Sequence, residues 1–342
     1  MVLCSIAGIC GIRGTLAAWR LLTVAATPGT ITADATTLEP PMPARSSPLA
    51  AFALIGLTWC SVAAAQAPPA PAAPPPPFAT TKVADNVYVF STGGYQSMFI
   101  VTPDGVIATD PISLSNPQAS TVYLGEIRKV TQAPVKYMIY SHHHYDHIAG
   151  GKPFKDAGAT FVAHRNAHKR LAALQSPDVV LPDMIVEDSG STITLGGTRL
   201  DLLWVGNNHS DNMLVMLLPK ERILFAVDWI PIQALLFRDM PDTYIPEWFA
   251  GLDRVLAMEW DRMIPGHPGP GGRLGTKDDV RALKEYMVDV SNAAKQLAAE
   301  RKCLNDEAMR AVKLPKYEGW GAYGTYLFGN VQRFCEYWGR GM

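Results

Sequence analysis

Cysteine is scarce and badly placed for metal chemistry. Of five cysteines, Cys4, Cys10 and Cys60 fall in the first 65 residues, leaving Cys303 and Cys335 as the only pair downstream. Neither lies near a histidine in sequence. That removes them as the core of a metal site and leaves a mutual disulfide or two buried thiols. Charge of one sign is also lacking: thirty basic and thirty-one acidic side chains give a formal net charge of -1. A chain so balanced has no global electrostatic footprint for nucleic acid. After the N-terminal region, no stretch reaches the ~18 uninterrupted apolar residues that a membrane-spanning helix requires. No internal repeat is visible, which sets aside the repeat architectures. Histidine is rare as well, with eight in 342 residues.

Half of those histidines occupy one place. Tyr140-Ser141-His142-His143-His144-Tyr145-Asp146-His147 gathers four of them with a carboxylate in a His-x-His-x-Asp-His arrangement. Imidazole and carboxylate are the ligands zinc takes in hydrolytic sites. Crowding them together is costly unless a cation offsets the desolvation. Upstream, Val135 to Tyr140 is an apolar and aromatic run that reads as a buried strand, and Ala149-Gly150-Gly151 with Lys152-Pro153 ends the pattern. The ligands therefore belong on a loop beyond a strand's carboxyl end, where α/β folds commonly place their sites. Alternation lets His142 and His144 point one way while Asp146 and His147 face a second position, so one segment can serve two adjacent cations. His143 then points away and reads as structural support. Tyr145 is a candidate hydrogen-bond donor to a developing oxyanion, or a cover for the site. His164 and His168, four residues apart, read as surface residues on one helical face.

Three further segments repeat the same design, an apolar strand followed by a loop with one ligand type. His209 follows Leu202–Val205, Asp228 ends the run Arg222–Val227, and His267 lies in Ile264-Pro265-Gly266-His267-Pro268-Gly269. Asp110 closes another apolar run, Gly105–Thr109. Taken in order, these residues resemble the metallo-β-lactamase superfamily over roughly Val83 to Gly272. The resemblance implies an α/β fold, a four-layer αββα sandwich with metals at one edge. It implies two zinc ions, one held by His142, His144 and His209 and the other by Asp146, His147 and His267. Asp228 would bridge them, and Asp110 would support from behind the ligands.

The chemistry so implied is attack by an activated water on a carbonyl carbon, with Asp146 positioning the nucleophile. The substrate would be a small ester, thioester, lactone or lactam. Asp228 itself is similar to the bridging aspartate of glyoxalase-II-like thioesterases and lactonases, because penicillin-hydrolysing members generally carry cysteine or serine there. Pro231 also stands where some of those carry a lysine that grips the β-lactam carboxylate. Two other readings stay open. One is a mononuclear iron dioxygenase of the persulfide type, using His142, His209 and Asp228 as a facial triad. The other is a metal-binding accessory protein without turnover.

The flanking regions are of different material. Residues 1–65 read as a leader: a basic position at Arg45, an apolar core from Leu49 to Trp59, and Ala63-Ala64-Ala65 for signal peptidase. Met42 is then the expected start of translation. Residues 66–82 are a proline- and alanine-rich linker suited to extended polyproline II. A catalytic domain is expected over 83–275 and a helical extension over 276–342, where Val280, Leu283, Met287 and Val290 have helical spacing. Export to the periplasm or the medium follows from the leader, and an oxidising compartment permits a Cys303–Cys335 bond. Nothing in the sequence speaks to oligomeric state. These assignments predict a mature protein beginning at Gln66. N-terminal sequencing of precursor and mature forms checks this, and a mature start upstream of Met42 would overturn the start assignment.

Overall fold

The computed structural model describes residues 77–342, so the expected leader and most of the linker lie outside the described residues. Period-two alternation builds the first sheet. Its strands are β1 (Phe78–Lys82), β2 (Val87–Thr92), β3 (Tyr95–Thr102), β4 (Gly105–Thr109), β5 (Val135–Ile139), β6 (Thr160–His164) and β7 (Met184–Val186), arranged in chain order. In β2 and β3, Val87, Val89, Met98 and Ile100 face one core while Phe90 and Phe99 face another. Gly93 and Gly94, both at positive φ (55° and 99°), make the tight turn between those strands. Pairing is antiparallel from β1 to β4 and parallel from β4 to β7.

The second sheet contains β8 (Ser191–Leu195), β9 (Thr198–Trp204), β10 (Leu214–Leu218), β11 (Ile223–Phe225) and β12 (Arg262–Ile264), in the order β12-β11-β10-β9-β8. Helices cover both outer faces. On the first sheet, residues of α1 (Ala119–Val130), α3 (Lys152–Asp156) and α4 (Arg165–Leu174) complete one core; the single turn α2 (Tyr145–Ile148) belongs to the histidine-rich loop. On the second, α5 (Ile245–Ala257), α6 (Lys277–Ala299), the short α7 (Asp306–Arg310) and α8 (Tyr323–Arg340) extend the larger core that also fills the space between the sheets. The architecture is an α/β sandwich of four layers, helix–sheet–sheet–helix, with α6 to α8 as C-terminal helices.

Strand direction decides where the site forms. β4 and β5 are parallel, so Asp110 and the histidine-rich loop emerge side by side. β9 and β11 are each antiparallel to β10, and β12 is parallel to β11. The carboxyl ends of β9, β11 and β12 therefore point the same way, bringing His209, Asp228 and His267 to one edge. β11 is shorter than the apolar run suggested. The strand ends at Phe225, whose parallel pairing with Ile264 is closed by Ala226 N bonding to Ile264 O at 3.1 Å. Asp228 thus sits three residues past the strand.

α6 begins with a reciprocal capping box between Thr276 and Asp279 and buries Val280, Leu283, Met287 and Val290. The aromatic and glycine-rich run from Gly319 splits: Gly321 makes a parallel bridge to Ala234, and α8 starts at Tyr323. A disulfide joins Cys303, just beyond α6, to Cys335 on α8, with Cα atoms 5.2 Å apart and a sequence separation of 32. Closing a loop of that length restricts the unfolded chain by roughly 3 to 4 kcal/mol in the chain-entropy picture. Cys303→Ser/Cys335→Ser is expected to lower unfolding free energy by about that amount in urea titration. Unchanged stability would show that α8 docks without the cross-link.

Candidate metal centre

The site assembles on loops from both sheets. The histidine-rich loop is fixed at both ends by backbone bonds: Asp110 N donates to Ile139 O (3.1 Å), Ile112 N to His147 O (2.8 Å), and Leu214 N to Ser141 O (2.7 Å). Asp110 and Ile112 both hold positive φ (30° and 47°), a strained conformation for residues with side chains. That strain turns the Asp110 carboxylate inward, where Oδ1 accepts from Ser141 N at 2.8 Å and Oδ2 stands 3.8 Å from His147 Nδ1. The His267 loop is held by Gln96 N donating to Gly266 O (2.7 Å) and Gly266 N donating to Val227 O (3.0 Å). Glu247 of α5 accepts from Asn207 N at 2.7 Å, steadying the loop before His209.

Two ligand groups result. Nitrogens of His142, His144 and His209 converge within 4.8 Å of one another, as do donor atoms of Asp146, His147, Asp228 and His267. Asp228 stands between the groups. Its Oδ2 is 3.8 Å from His142 Nε2, 3.7 Å from His209 Nε2 and 3.0 Å from His147 Nε2, while Oδ1 is 3.4 Å from His267 Nε2. The seven residues singled out by motif are therefore together, and Asp110 lies directly behind them.

Proton positions follow from the outer partners. A carboxylate or carbonyl only accepts, so His144 Nε2 donates to Asp242 Oδ2 (2.9 Å) and His267 Nδ1 donates to Gly94 O (2.8 Å). The opposite nitrogens are left with lone pairs facing inward. His144 Nδ1 meets His209 Nε2 at 3.1 Å. His142 Nε2, His147 Nε2 and Asp228 Oδ1 are buried with no hydrogen-bond partner among the described residues. Converging lone pairs and orphaned buried donors of nitrogen and oxygen type are what a divalent cation satisfies, so the residues fit a metal.

The electrostatics point the same way. Burial, reinforced by His144, drives the His142 pKa well below the usual imidazole value, and burial lowers that of His209 to about 4. For His147, burial works downward but the Asp228 carboxylate outweighs it and raises the pKa to about 9. Burial raises the carboxyl of Asp110 to about 6, against the opposing charge of His147. Burial also acts upward on Asp228, yet His147 and His267 hold it well below the usual carboxylate range. His142 and His209 are thus held neutral beside an ionised Asp228, while His147 holds a proton against that carboxylate which a cation would displace.

Several supporting residues carry no sequence signal of their own. Asp242 lies 98 residues from its partner His144 and in no motif. Ser141 Oγ bonds His142 Nδ1 at 2.9 Å, and Tyr95 packs its ring against both His147 (5.6 Å) and His267 (4.8 Å). His143 turns outward: Asn212 Nδ2 bonds its Nδ1 at 2.9 Å, and Asp242 lies 3.7 Å from its Nε2. Tyr145 is half-buried and packs against the helix-covered core of the first sheet. His164 and His168 do not share a helical face. His164 is the last residue of β6, fully buried, stacked 5.8 Å from Trp204 and bonded to Asp188 at 3.0 Å.

Gly266 gives a test that changes no ligand. A Cβ there would stand 2.6 Å from Asp228 Oδ1 and 3.0 Å from His147 Cε1, and would strike Val227 Cγ1. Gly266→Ala is expected to lower bound metal while leaving the far-ultraviolet circular dichroism unchanged. Full metal content in that variant would show that Asp228 does not depend on the close approach of this loop.

Comparison with known proteins agrees with this geometry. The sequence profile of the Metallo-beta-lactamase superfamily matches residues 96–267. The alpha subunit of 2,4-dinitroanisole O-demethylase from Nocardioides sp. is 24% identical over 58% of this chain and 60% of its own. A linear primary-alkylsulfatase from Pseudomonas sp. is 24% identical over 68% of this chain and 53% of its own. The chain thus spans little more than half the length of these curated relatives. Among solved structures, a double mutant of the sec-alkyl sulfatase PisA1 shares the fold, with a TM-score of 0.62 and 15% identity over 76% of this chain and 50% of that one. With its sandwich, its strand-end loops and its histidine–aspartate cluster matched from residue 96 to 267, the chain belongs to the metallo-β-lactamase superfamily.

Proposed function

We propose that this protein is an exported hydrolase that uses two zinc ions to cleave a small carbonyl substrate: an ester, thioester, lactone or lactam. The observation that carries the reading is the place of Asp228. One of its oxygens faces His142, His209 and His147, and the other faces His267. A carboxylate so shared suits two cations better than one, which favours a dinuclear hydrolase over the mononuclear iron alternative. His142, His144 and His209 would hold one ion, Asp146, His147 and His267 the other, with Asp228 common to both. When bound, such ions acidify water toward neutral pH and act as Lewis acids on the scissile group.

The chain's own residues supply the rest. Asp146 is 30% exposed, and so is the acidic ligand most open to a water or its proton. Asp242 and Gly94 accept from His144 and His267 and so set where those rings carry their protons, while the Ser141 hydroxyl orients the His142 ring. Trp248 packs beside His209 with ring centroids 6.4 Å apart and, being fully buried, keeps water from the back of the first group. The Cys303–Cys335 bond supports an oxidising destination such as the periplasm.

A sulfate ester is the second substrate reading. One curated relative is an alkylsulfatase, and the likeness to a solved sulfatase covers 76% of this chain, more than the superfamily profile spans. The test is metal analysis of natively purified protein together with hydrolysis of carboxylic esters, thioesters, lactones, β-lactams and alkyl sulfates. Two zinc ions per chain and turnover of one class are expected. His142→Ala and Asp228→Ala should each abolish that turnover. Full activity in Asp228→Ala would overturn the bridging role, and a single bound iron would favour the dioxygenase.

A further inference from the structure

Helix α8 lies beyond the residues matched by the superfamily profile, yet it grips a loop that serves the metal centre. Asn330 is fully buried, and its Nδ2 donates to Leu236 O (2.9 Å) and Arg238 O (2.6 Å) while its Oδ1 accepts from the Tyr286 hydroxyl of α6 (2.6 Å). One turn along, Arg333 Nη2 donates to Thr243 O at 2.6 Å. These three acceptors bracket Asp242. Between them the loop folds through two successive turns, Met240 N bonding Phe237 O and Thr243 N bonding Met240 O. Gln233, Arg238 and Met240 hold positive φ (47°, 46° and 49°), a strained set that persists only where surroundings determine it. The approach is close: a Cβ at Gly329 of α8 would stand 2.7 Å from Arg238 O.

What this loop delivers is the Asp242 carboxylate, 2.9 Å from His144 Nε2. We infer that Asn330 and Arg333 are positioning residues for the first ligand group. They hold the loop, the loop holds Asp242, and Asp242 sets the ring and tautomer of His144 so that Nδ1 faces the cation. A carboxylate on the outer nitrogen of a ligating histidine also raises its basicity, and such partners govern metal affinity by roughly ten- to a hundredfold. The inference rests on the reading that His142, His144 and His209 bind a metal ion.

The experiment titrates cobalt(II) into the metal-depleted full-length protein, following the visible absorption of each site. Asp242→Ala, Asn330→Ala and Arg333→Leu should each weaken cobalt binding at the first group by roughly ten- to a hundredfold, leaving the second group unchanged. Asp242→Asn keeps an acceptor for His144 and should recover part of the loss. The decisive comparison is the double variant: if α8 acts through Asp242, adding Arg333→Leu to Asp242→Ala costs nothing further. Arg333 is only partly buried and bonds the backbone of Thr243 and Met342 apart from the fully buried Asn330, so this arm stands even if Asn330→Ala fails to fold. Unchanged affinity in the single variants, or fully additive losses in the double, would overturn the inference. Wild-type protein that binds no cobalt sensitive to His142→Ala would overturn the metal reading and this inference with it.

Discussion

A single carboxylate sets the terms for the structure around it. Asp228 is only 9% exposed and lies within 4 Å of four imidazoles. Desolvating an ionised carboxylate costs several kcal/mol unless charge or hydrogen bonds compensate. Here the compensation comes from four rings on three separate loops, so each loop must arrive correctly for Asp228 to remain buried. The parallel pair β11·β12 puts Asp228 beside His267, and the matched direction of β9 brings His209. The first sheet supplies the remaining ligands from the end of β5. Neither sheet alone carries a complete ligand group, because His209 must join His142 and His144, while Asp228 and His267 must join Asp146 and His147.

The rings would not serve a cation if they were free to turn. Three of the rings are oriented by what the outer nitrogen meets: a backbone carbonyl for His267, a carboxylate for His144, a hydroxyl for His142. These partners are themselves held. Gly94 belongs to the β2–β3 hairpin, whose next residues also grip the His267 loop through Gln96. Asp110 behind the cluster is fixed by a strained backbone and bonds Ser141 N. Order at the site is thus established by folding, and a cation entering it meets lone pairs already aimed.

Much of this was legible from residues alone, for a physical reason. Ligands at strand ends leave a local signature, an apolar run followed by polar residues, and the runs before His142, His209 and His267 carry it clearly. Alternation also sufficed to turn His143 outward. It failed at His164, where the helical spacing to His168 hid the end of β6 and the buried partner Asp188. Asp242 was invisible for a different reason. Its neighbours Pro241 and Thr243 mark no strand, and its loop is bonded to α8 across a separation of about ninety residues. Interactions that depend on which distant helix covers a loop leave no periodic trace.

Each ligand group has a buried side and a side that reaches solvent. His142 is fully buried and His209 nearly so, with α5 and Trp248 behind them. On the other side His267 is 49% exposed and Asp146 30% exposed, with Tyr95 packed on the His267 ring. Solvent therefore reaches the centre past Asp146, His267 and His144, which is 27% exposed, while His142 and His147 lie deepest. The rim is lined by Tyr95 beside His267 and by the Asp242 loop beside His144. The same loop joins that rim to the C-terminal helix, so changes in α6–α8 can alter the site without touching a ligand.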